Sequence, residues 1–190
     1  QTEGINDKVQ LATLGAVLNA RTAEKWMRAG VTIVDPASTW IDVEVSIGAD
    51  TVIRPGTQVL GATTIGSGAI IGPEVTITDS EIGDRAHVRR AEVELAVVAH
   101  DATVGPYSYL RAGTELGPAG KIGGFVETKN AKIGPGAKVP HLTYCGDATI
   151  GEGANIGAGT IFANYDGVTK SHTSIGRYSF VGSQSVIVAP

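Results

Sequence analysis

The feature that most limits how this chain can fold is a six-residue repeat of apolar residues. In its longest unbroken run the repeat places an aliphatic residue at Ile47, Ile53, Val59, Ile65, Ile71 and Ile77, and it resumes several times up to Ile187. Gly often follows the apolar residue, and a small or β-branched residue often stands four positions after it. This period differs from the helical period of about 3.6 residues and from simple strand alternation. It is typical of β-helical solenoids.

Three such units predict one triangular coil whose apolar residues point into a prism. Residues 47–187 suffice for about seven or eight coils, each pairing its strands with the coils above and below. Gly accounts for 26 of the 190 residues, about twice the usual share, which fits many tight turns. The alternative, an ordinary β-sandwich, predicts irregular turn spacing of about 8–12 residues. We therefore predict an all-β, parallel β-helix of hexapeptide repeats.

The first 30 residues lack the repeat and predict one α-helix before the β-helix. Asn6 or Asp7 can cap its start and Gly30 can end it. Apolar residues recur between them at roughly helical spacing: Val9, Leu11, Leu14, Val17, Leu18 and Trp26. This pattern favours an amphipathic helix that leads through residues 31–36 into the first coil.

The charge and cysteine content narrow the classes of partner and compartment. A formal net charge of -4 argues against a general nucleic-acid or membrane-surface role. The sequence has no apolar run of about 18 residues and no signal-peptide pattern, so we expect no membrane partner. Cys145 is the single cysteine, which excludes an internal disulfide and fits a reducing compartment such as the cytoplasm.

The repeat slips between residues 77 and 82, 88 and 104, 122 and 133, 139 and 150, and 162 and 175. The last gap holds a turn sequence at residues 164–167, which predicts a loop leaving the prism. Loops on a rigid scaffold often carry function. Polar residues converge in the same third of the repeat: Arg111, Glu127, Lys129, His141, Tyr144, Asn155, Asn164 and Tyr165.

The segments GPYSYLRAGTEL, GGFVETKNAKIG, HLTYCGDATIGEGANIGAGT, ANYDGVTK and FVGSQSVIVAP lie in or near this region. With TEGINDKVQL and GVTIVDP they give the chain a resemblance, over nearly its whole length, to a bacterial family. That family is the bifunctional N-acetylglucosamine-1-phosphate uridyltransferase/glucosamine-1-phosphate acetyltransferases. The repeat alone is weak support, because many acyltransferases and some non-enzymes share it. HLTY-x-GD followed by NIGAGT and NYDG is much more specific.

The resemblance implies a left-handed β-helix and a homotrimer with active sites between subunits. It implies transfer of acetyl from acetyl-CoA to the amine of glucosamine-1-phosphate, for UDP-N-acetylglucosamine and cell-wall synthesis. His141 matches the family's catalytic base. The matches to sugar-phosphate contacts are Arg111, Lys129, Tyr144 and Asn155. The matches to acetyl-CoA contacts are Ala158, Asn164, Tyr165 and Ser183.

The resemblance also divides the chain. Residues 1–30 would be the end of the uridyltransferase domain and a linker helix, and residues 31–190 the acetyltransferase β-helix, truncated at its C-terminus. Asn6 matches a metal and nucleotide contact of the uridyltransferase site. Its aspartate partner belongs to a domain outside this chain, so Mg²⁺ is expected only in that site. Cys145 stands where the family usually has an aliphatic residue, and we assign it no catalytic role.

These residue types suit the implied chemistry. The sugar amine must be neutral when it attacks the thioester, and histidine, with a pKa of about 6.5, can accept its proton. Arg111 can form a fork with two phosphate oxygens, while Lys129 supplies a point charge. Glu127 either orients His141 or receives the substrate ammonium, and both roles stay open. The remaining histidines are interpreted as surface turn residues: His87, His100 and His172.

Three alternatives remain at this point. The chain could be another hexapeptide acyltransferase with a different acceptor. It could be a metal hydratase on the same fold, which needs about three histidines converging on zinc, whereas the four histidines here are scattered. It could be a non-enzymatic scaffold or an ice-binding solenoid, which predicts a flat repeated array of exposed threonines.

Overall fold

The structure, a computed structural model, describes residues 4–190 as one α-helix followed by a long stack of short strands. Helix α1 spans Lys8–Arg28. Asp7 caps it, because its carboxylate accepts a hydrogen bond from the Gln10 backbone N–H at 2.8 Å. Gly30 follows with a φ of +92° and turns the chain away. The predicted helix is confirmed, with Asp7 rather than Asn6 as its cap.

Across the described range, no helix combines the length and apolar character needed to cross a membrane.

Twenty-four strands follow. They are β1 Thr32–Ile33, β2 Trp40–Ile41, β3 Ser46–Ile47, β4 Val52–Ile53, β5 Gln58–Leu60, β6 Thr64–Ile65, β7 Ile70–Ile71, β8 Thr76–Thr78, β9 Glu81–Ile82, β10 His87–Val88, β11 Ala91–Glu94, β12 Val97–Val98, β13 Thr103–Val104, β14 Ser108–Leu110, β15 Glu115–Leu116, β16 Lys121–Gly124, β17 Glu127–Ile133, β18 Lys138–His141, β19 Tyr144–Ile150, β20 Asn155–Ile156, β21 Ile161–Ala163, β22 Thr173–Ile175, β23 Phe180–Val181 and β24 Val186–Val188. A 3-10 turn at Pro36–Ser38 separates β1 from β2.

The strands form the three faces of a prism, with parallel pairing between successive coils. Face 1 is a nine-stranded sheet that runs from β1 to β23. Face 2 runs from β2 to β24 and face 3 from β3 to β22. Faces 2 and 3 join into one sheet of 15 strands because the seven-residue strands β17 and β19 extend across both. The predicted parallel β-solenoid, with about eight turns, is confirmed. Its left-handed sense stays a prediction.

The interior of the prism is built from the repeat's two inward positions. The aliphatic position is closed to solvent, with Ile53 and Ile122 both 0% exposed. Burying each such side chain contributes about 1.5–3 kcal/mol. The small position is often a buried threonine whose hydroxyl bonds to the backbone. Thr57, for example, donates to the Arg54 carbonyl at 2.7 Å. These threonines therefore pack inside the prism instead of forming a flat exposed array.

Four of the five breaks in the repeat are shortened corners at which the chain stays in the coil. Five-residue steps replace six-residue steps, and the inward positions that the sequence frame missed are Val93, Val98, Thr128 and Cys145. The residues that turn these short corners share a left-handed φ of 42° to 48°: Asp79, Arg90, Leu95, Asn130 and Asp147. Only the fifth break leaves the prism, as predicted, in residues 164–172 between β21 and β22.

The single cysteine lies within this core. Cys145 is 0% exposed, and burial raises the pKa of its thiol to about 12. A thiol that is protonated and enclosed is a poor nucleophile.

Helix α1 packs on the solenoid through only part of its apolar face. Ala23 is buried, and the Asn19 side chain ties the helix to the first coil by donating to the Thr39 carbonyl at 2.7 Å. In the first half of the helix, Val9 is 74% and Leu11 is 55% exposed. The apolar residues of that half therefore do not pack on the solenoid.

Candidate functional site

Two cations of the predicted set form a row on face 2. Arg111 follows β14, and its backbone N–H donates to the Thr128 carbonyl of β17 at 2.9 Å. Since Leu110 pairs with Thr128, Arg111 lies beside Lys129. Neighbouring parallel strands are about 4.8 Å apart, so two residues of distant sequence become adjacent.

Glu127 is paired with Arg111. An Nη1 atom of Arg111 donates to the Glu127 Oε1 at 2.8 Å, and this bond raises the pKa of Arg111. The same guanidinium lies 5.9 Å from the centre of the Tyr109 ring. Of the two roles left open for Glu127, orientation of His141 has no hydrogen bond in this structure to support it, because the carboxylate is directed to Arg111.

The loop of residues 164–172 adds a third cation that the sequence reasoning missed. Tyr165 and Lys170 form an antiparallel bridge across the loop. The Asp166 carboxylate accepts from the Val168 and Thr169 backbone N–H groups at 2.7 Å each and so closes its tip. The loop brings Lys170 beside Lys129. The charge of Lys170, followed by that of Arg111, lowers the pKa of Lys129. Lys170 is part of the NYDGVTK segment that the sequence analysis quoted. Its position beside Lys129 depends on how the loop folds back, which the sequence alone does not show.

A carboxylate joins this loop to the coils. Asp147 accepts a hydrogen bond from Asn130 Nδ2 at 2.7 Å, and its other oxygen accepts from Asn164 Nδ2. These bonds hold the pKa of Asp147 below its usual value, with Asn130 the largest cause. Asn164 is only 7% exposed. Its amide nitrogen donates to Asp147, and its Oδ1 accepts no hydrogen bond from the residues that the structure describes.

His141 stands at the corner between faces 1 and 2, at the end of β18. Its carbonyl accepts from the Thr143 hydroxyl at 2.7 Å and from the Gly159 N–H at 3.2 Å, which fixes the backbone. The imidazole is exposed, and no side chain of residues 4–190 hydrogen-bonds to it. Register places Ala158 and then Ser183 at the same corner in the next two coils. The corner therefore groups His141 with two of the four predicted acetyl-CoA contacts.

The other predicted residues are placed as follows. Tyr144 pairs in register with Glu127, and its hydroxyl lies against Gly146, where a Cβ would collide with it. Tyr165 is 58% exposed and donates to the Gly167 carbonyl within its own loop. Asn155 lies on face 1, in register with a lysine of β18, and so does not join the row on face 2.

Asn6 lies far from this group in the topology, just before α1, which contacts the first coil. Its backbone N–H donates to the Gln10 side chain at 2.7 Å. From residue 4 onwards, no three His, Cys, Asp or Glu side chains are grouped as metal ligands. Asn6 alone does not fit a magnesium site, and we derive no step through a metal.

The remaining histidines lie outside the group. His87 is exposed on face 1, His100 bonds to Asp101 at 2.8 Å and His172 bonds to the Thr149 hydroxyl at 2.9 Å. Face 2 thus has an exposed imidazole at its first corner and three cations at its other end. The cations can bind an anionic group, and the imidazole can accept a proton.

Comparison with known proteins finds similarity to a transferase family and to bifunctional bacterial proteins. Residues 44–79 match the family described as bacterial transferase hexapeptide (six repeats). Over 98% of its length the chain is 64% identical to the bifunctional protein GlmU of Mycolicibacterium vanbaalenii. It is 57% identical to that of Clavibacter sepedonicus over the same share. The chain spans 38% of the length of each of these two relatives and matches their C-terminal part.

One solved structure with a similar arrangement is the UDP-N-acetylglucosamine O-acyltransferase (LpxA) of Moraxella catarrhalis. It has a TM-score of 0.47 and 15% sequence identity, and the match covers 83% of this chain and 65% of that one. A likeness at this level carries no functional argument.

Proposed function

We propose an acetyltransferase function for this chain from the premise that it is a homologue of the C-terminal part of the bifunctional GlmU proteins. The reaction is transfer of the acetyl group of acetyl-CoA to the amine of glucosamine-1-phosphate. Its product is N-acetylglucosamine-1-phosphate, for UDP-N-acetylglucosamine synthesis. The observation that carries the proposal is that face 2 has the exposed His141 at its first corner and the group of Arg111, Lys129 and Lys170 at its other end.

The three cations bind the phosphate of the acceptor. A phosphate dianion placed among them relieves the repulsion that lowers the pKa of Lys129. Arg111 offers a planar pair of donors, whereas the lysines act as movable point charges. One oxygen of Glu127 accepts from Arg111, and its other oxygen would bind the sugar. Tyr144 and Asn155 donate or accept hydrogen bonds at the sugar hydroxyls.

His141 takes the proton of the acceptor amine. Its ring is exposed and makes no hydrogen bond to another side chain of the described residues, so it is free to accept one. Histidine is the side chain best suited to exchange a proton close to neutral pH. The proton leaves as the nitrogen forms its bond to the acetyl carbon and the thiolate of CoA departs.

Acetyl-CoA binds along the His141 corner as a co-substrate. Ala158 and Ser183 follow His141 in successive coils, which gives an extended ligand a path parallel to the solenoid axis. The loop of residues 164–172 would contribute Asn164 Oδ1 and the exposed ring of Tyr165. This placement sets the thioester beside the imidazole.

The same proposal includes assembly and the division of the chain. Asn155 lies on face 1 and the cations lie on face 2, and a site shared between two copies of the chain would bring both to one ligand. A homotrimer of left-handed β-helices, with sites between subunits, would provide such a site.

Residues 1–30 would be the end of a uridyltransferase domain and its linker, and residues 31–190 the acetyltransferase domain. Asn6 with Mg²⁺ would serve that other domain, and the buried thiol fits the reducing cytoplasm.

The test is thiol release from acetyl-CoA by the purified chain with a panel of acceptors. Because the chain spans 38% of the Mycolicibacterium vanbaalenii relative, the assay is repeated on that full-length relative. Release with glucosamine-1-phosphate but not with glucosamine supports the proposal. Thiol release only with an acceptor that lacks a phosphate would assign a different substrate. No thiol release with any acceptor, in a folded protein, would reject the function. Light scattering measures whether the active species is a trimer.

A further inference from the structure

Asp147 occupies a shortened corner from which its carboxylate reaches two different parts of the fold. It lies inside β19, where that strand passes from face 2 to face 3, with a φ of +46°. Asn130 turns the same corner one coil earlier, also with a φ of +46°, and donates to Asp147 Oδ1 at 2.7 Å. Asn164, one coil later, donates to Asp147 Oδ2. One carboxylate thus joins three successive levels of the solenoid.

The contact with Asn164 holds the base of the loop of residues 164–172. Asn164 is the first residue of that loop, and its carbonyl accepts from the Ser171 backbone N–H at 2.9 Å. The Tyr165–Lys170 bridge stands directly inside this closure. The position of the Lys170 side chain therefore depends on Asn164, whose side chain is bound by Asp147.

Asp147 also offsets the charges that face it. The groups that act on the pKa of Lys129 are Lys170, Arg111 and Asp147, and only Asp147 raises it. Glu127, the other nearby carboxylate, accepts from Arg111 instead. Without a negative charge at this corner, the two lysine ammonium groups would repel each other with less to hold them together.

We infer that Asp147 is a positioning residue for the phosphate subsite: its carboxylate anchors the loop of residues 164–172 so that Lys170 stays beside Lys129. The inference rests on the proposed function, because it assigns the two lysines to phosphate. Asp147 does not touch the reacting atoms and acts through Asn164 and Lys170.

The variant that separates this role from simple packing is Asp147→Asn, which keeps the size of the side chain and one acceptor oxygen but removes the charge. We expect the KM for glucosamine-1-phosphate to rise about tenfold, with kcat changed less than about twofold. Asp79→Asn is the matched control. Asp79 also turns a short corner with a φ of +46°, and its carboxylate accepts from the Ala62 N–H at 2.9 Å, but it lies three coils away from Lys129.

Coupling with Lys170 shows whether Asp147 acts through it. If it does, Asp147→Asn combined with Lys170→Ala should raise the KM no further than Lys170→Ala alone, because the anchored group is already gone. Effects of the two substitutions that multiply in the KM for glucosamine-1-phosphate would overturn the inference in favour of general loosening of the fold.

A substrate-free measurement keeps the two proposals separable. Titration of the Lys129 side chain by NMR should give a higher pKa in Asp147→Asn than in the parent chain, because Lys170, the largest cause of the lowered pKa, moves away, and this outweighs the smaller effect of the lost Asp147 charge. Asp79→Asn should keep the parent value. If the parent chain transfers no acetyl group to glucosamine-1-phosphate but the lysine pKa rises as expected, the proposed function fails while the positioning contact stands. An unchanged Lys129 pKa in an active enzyme rejects the contact and leaves the function.

Discussion

Arg111 and Glu127 are joined across two neighbouring coils, with Arg111 Nη1 2.8 Å from Glu127 Oε1. Both side chains are partly exposed, at 37% and 44%. A carboxylate thus occupies one side of the guanidinium before any ligand arrives. An incoming phosphate has to share that guanidinium with Glu127, which gives this face an acidic group next to its basic row.

Arg111→Ala should weaken binding of glucosamine-1-phosphate while sparing the fold. Loss of charge-assisted hydrogen bonds worth about 1.5–3 kcal/mol should raise the KM by about tenfold or more. An exposed ion pair contributes less than about 1 kcal/mol to the free energy of unfolding. Steady-state kinetics and urea unfolding measure the two effects. Arg177→Ala, which breaks the exposed pair with Glu152, is the control, and equal KM values in the two variants would remove Arg111 from the phosphate site.

His141→Ala should abolish most of the acetyl transfer. Loss of a general base costs about 10²–10⁴-fold in rate, and kcat should fall by that order while circular dichroism and the unfolding midpoint stay unchanged. The fold is insensitive because the exposed ring bonds to no other side chain among the described residues. His87→Ala, an exposed histidine on face 1, serves as its counterpart. Retained activity in His141→Ala would exclude the imidazole as the base.

Lys170→Ala should change both the pKa of Lys129 and the KM for glucosamine-1-phosphate. Lys170 is the largest cause of the lowered pKa of Lys129, so its removal should raise that pKa towards the usual value. The KM for glucosamine-1-phosphate should rise all the same, since one of three phosphate-facing charges is lost. NMR titration and kinetics follow the two quantities. Lys138→Ala on face 1 provides the comparison, and a Lys129 pKa that does not move in Lys170→Ala would show that the two lysines are apart.

Acidification should weaken the fold through Asp101. The Arg85 guanidinium, followed by His100, holds the pKa of Asp101 well below its usual range. A carboxyl whose pKa is lower in the folded state stabilises the protein above its unfolded pKa of about 4. That contribution disappears as the pH falls towards the folded pKa. Thermal unfolding between about pH 5 and pH 2 should therefore drop less steeply in Arg85→Gln, and identical slopes would contradict the assignment.

The sequence predicted the solenoid because its repeat is a direct record of packing. Six residues lead from one inward position to the next face of the prism, and three such steps return to the same face. Residues such as Ile53 and Ile122 are buried where this period predicts them. It did not reveal Val93 or Val98, because a corner shortened by one residue changes the phase without leaving any other mark. The exposed start of α1 was missed for a related reason, since helical spacing says nothing about which surface is present to cover it.

The candidate site was predicted as a set of residues but not as an arrangement. The resemblance supplied Arg111 and Lys129, while their adjacency follows from strand register. Lys170 and Asp147 escaped because their roles depend on how a loop folds back and on one side-chain contact across a corner. Neither leaves a periodic signal in the sequence.

The inward column of face 2 has one more consequence. Thr128, Cys145 and Phe162 follow one another along the axis in register, so the large ring of Phe162 lies next to the small side chain of Cys145. A change of size at one of these positions has to be matched 17 residues away in the chain, by a neighbour that is distant in sequence and adjacent in the core. Substitutions inside this prism should therefore be inherited in pairs, and the spacing of such pairs would reveal the length of each coil.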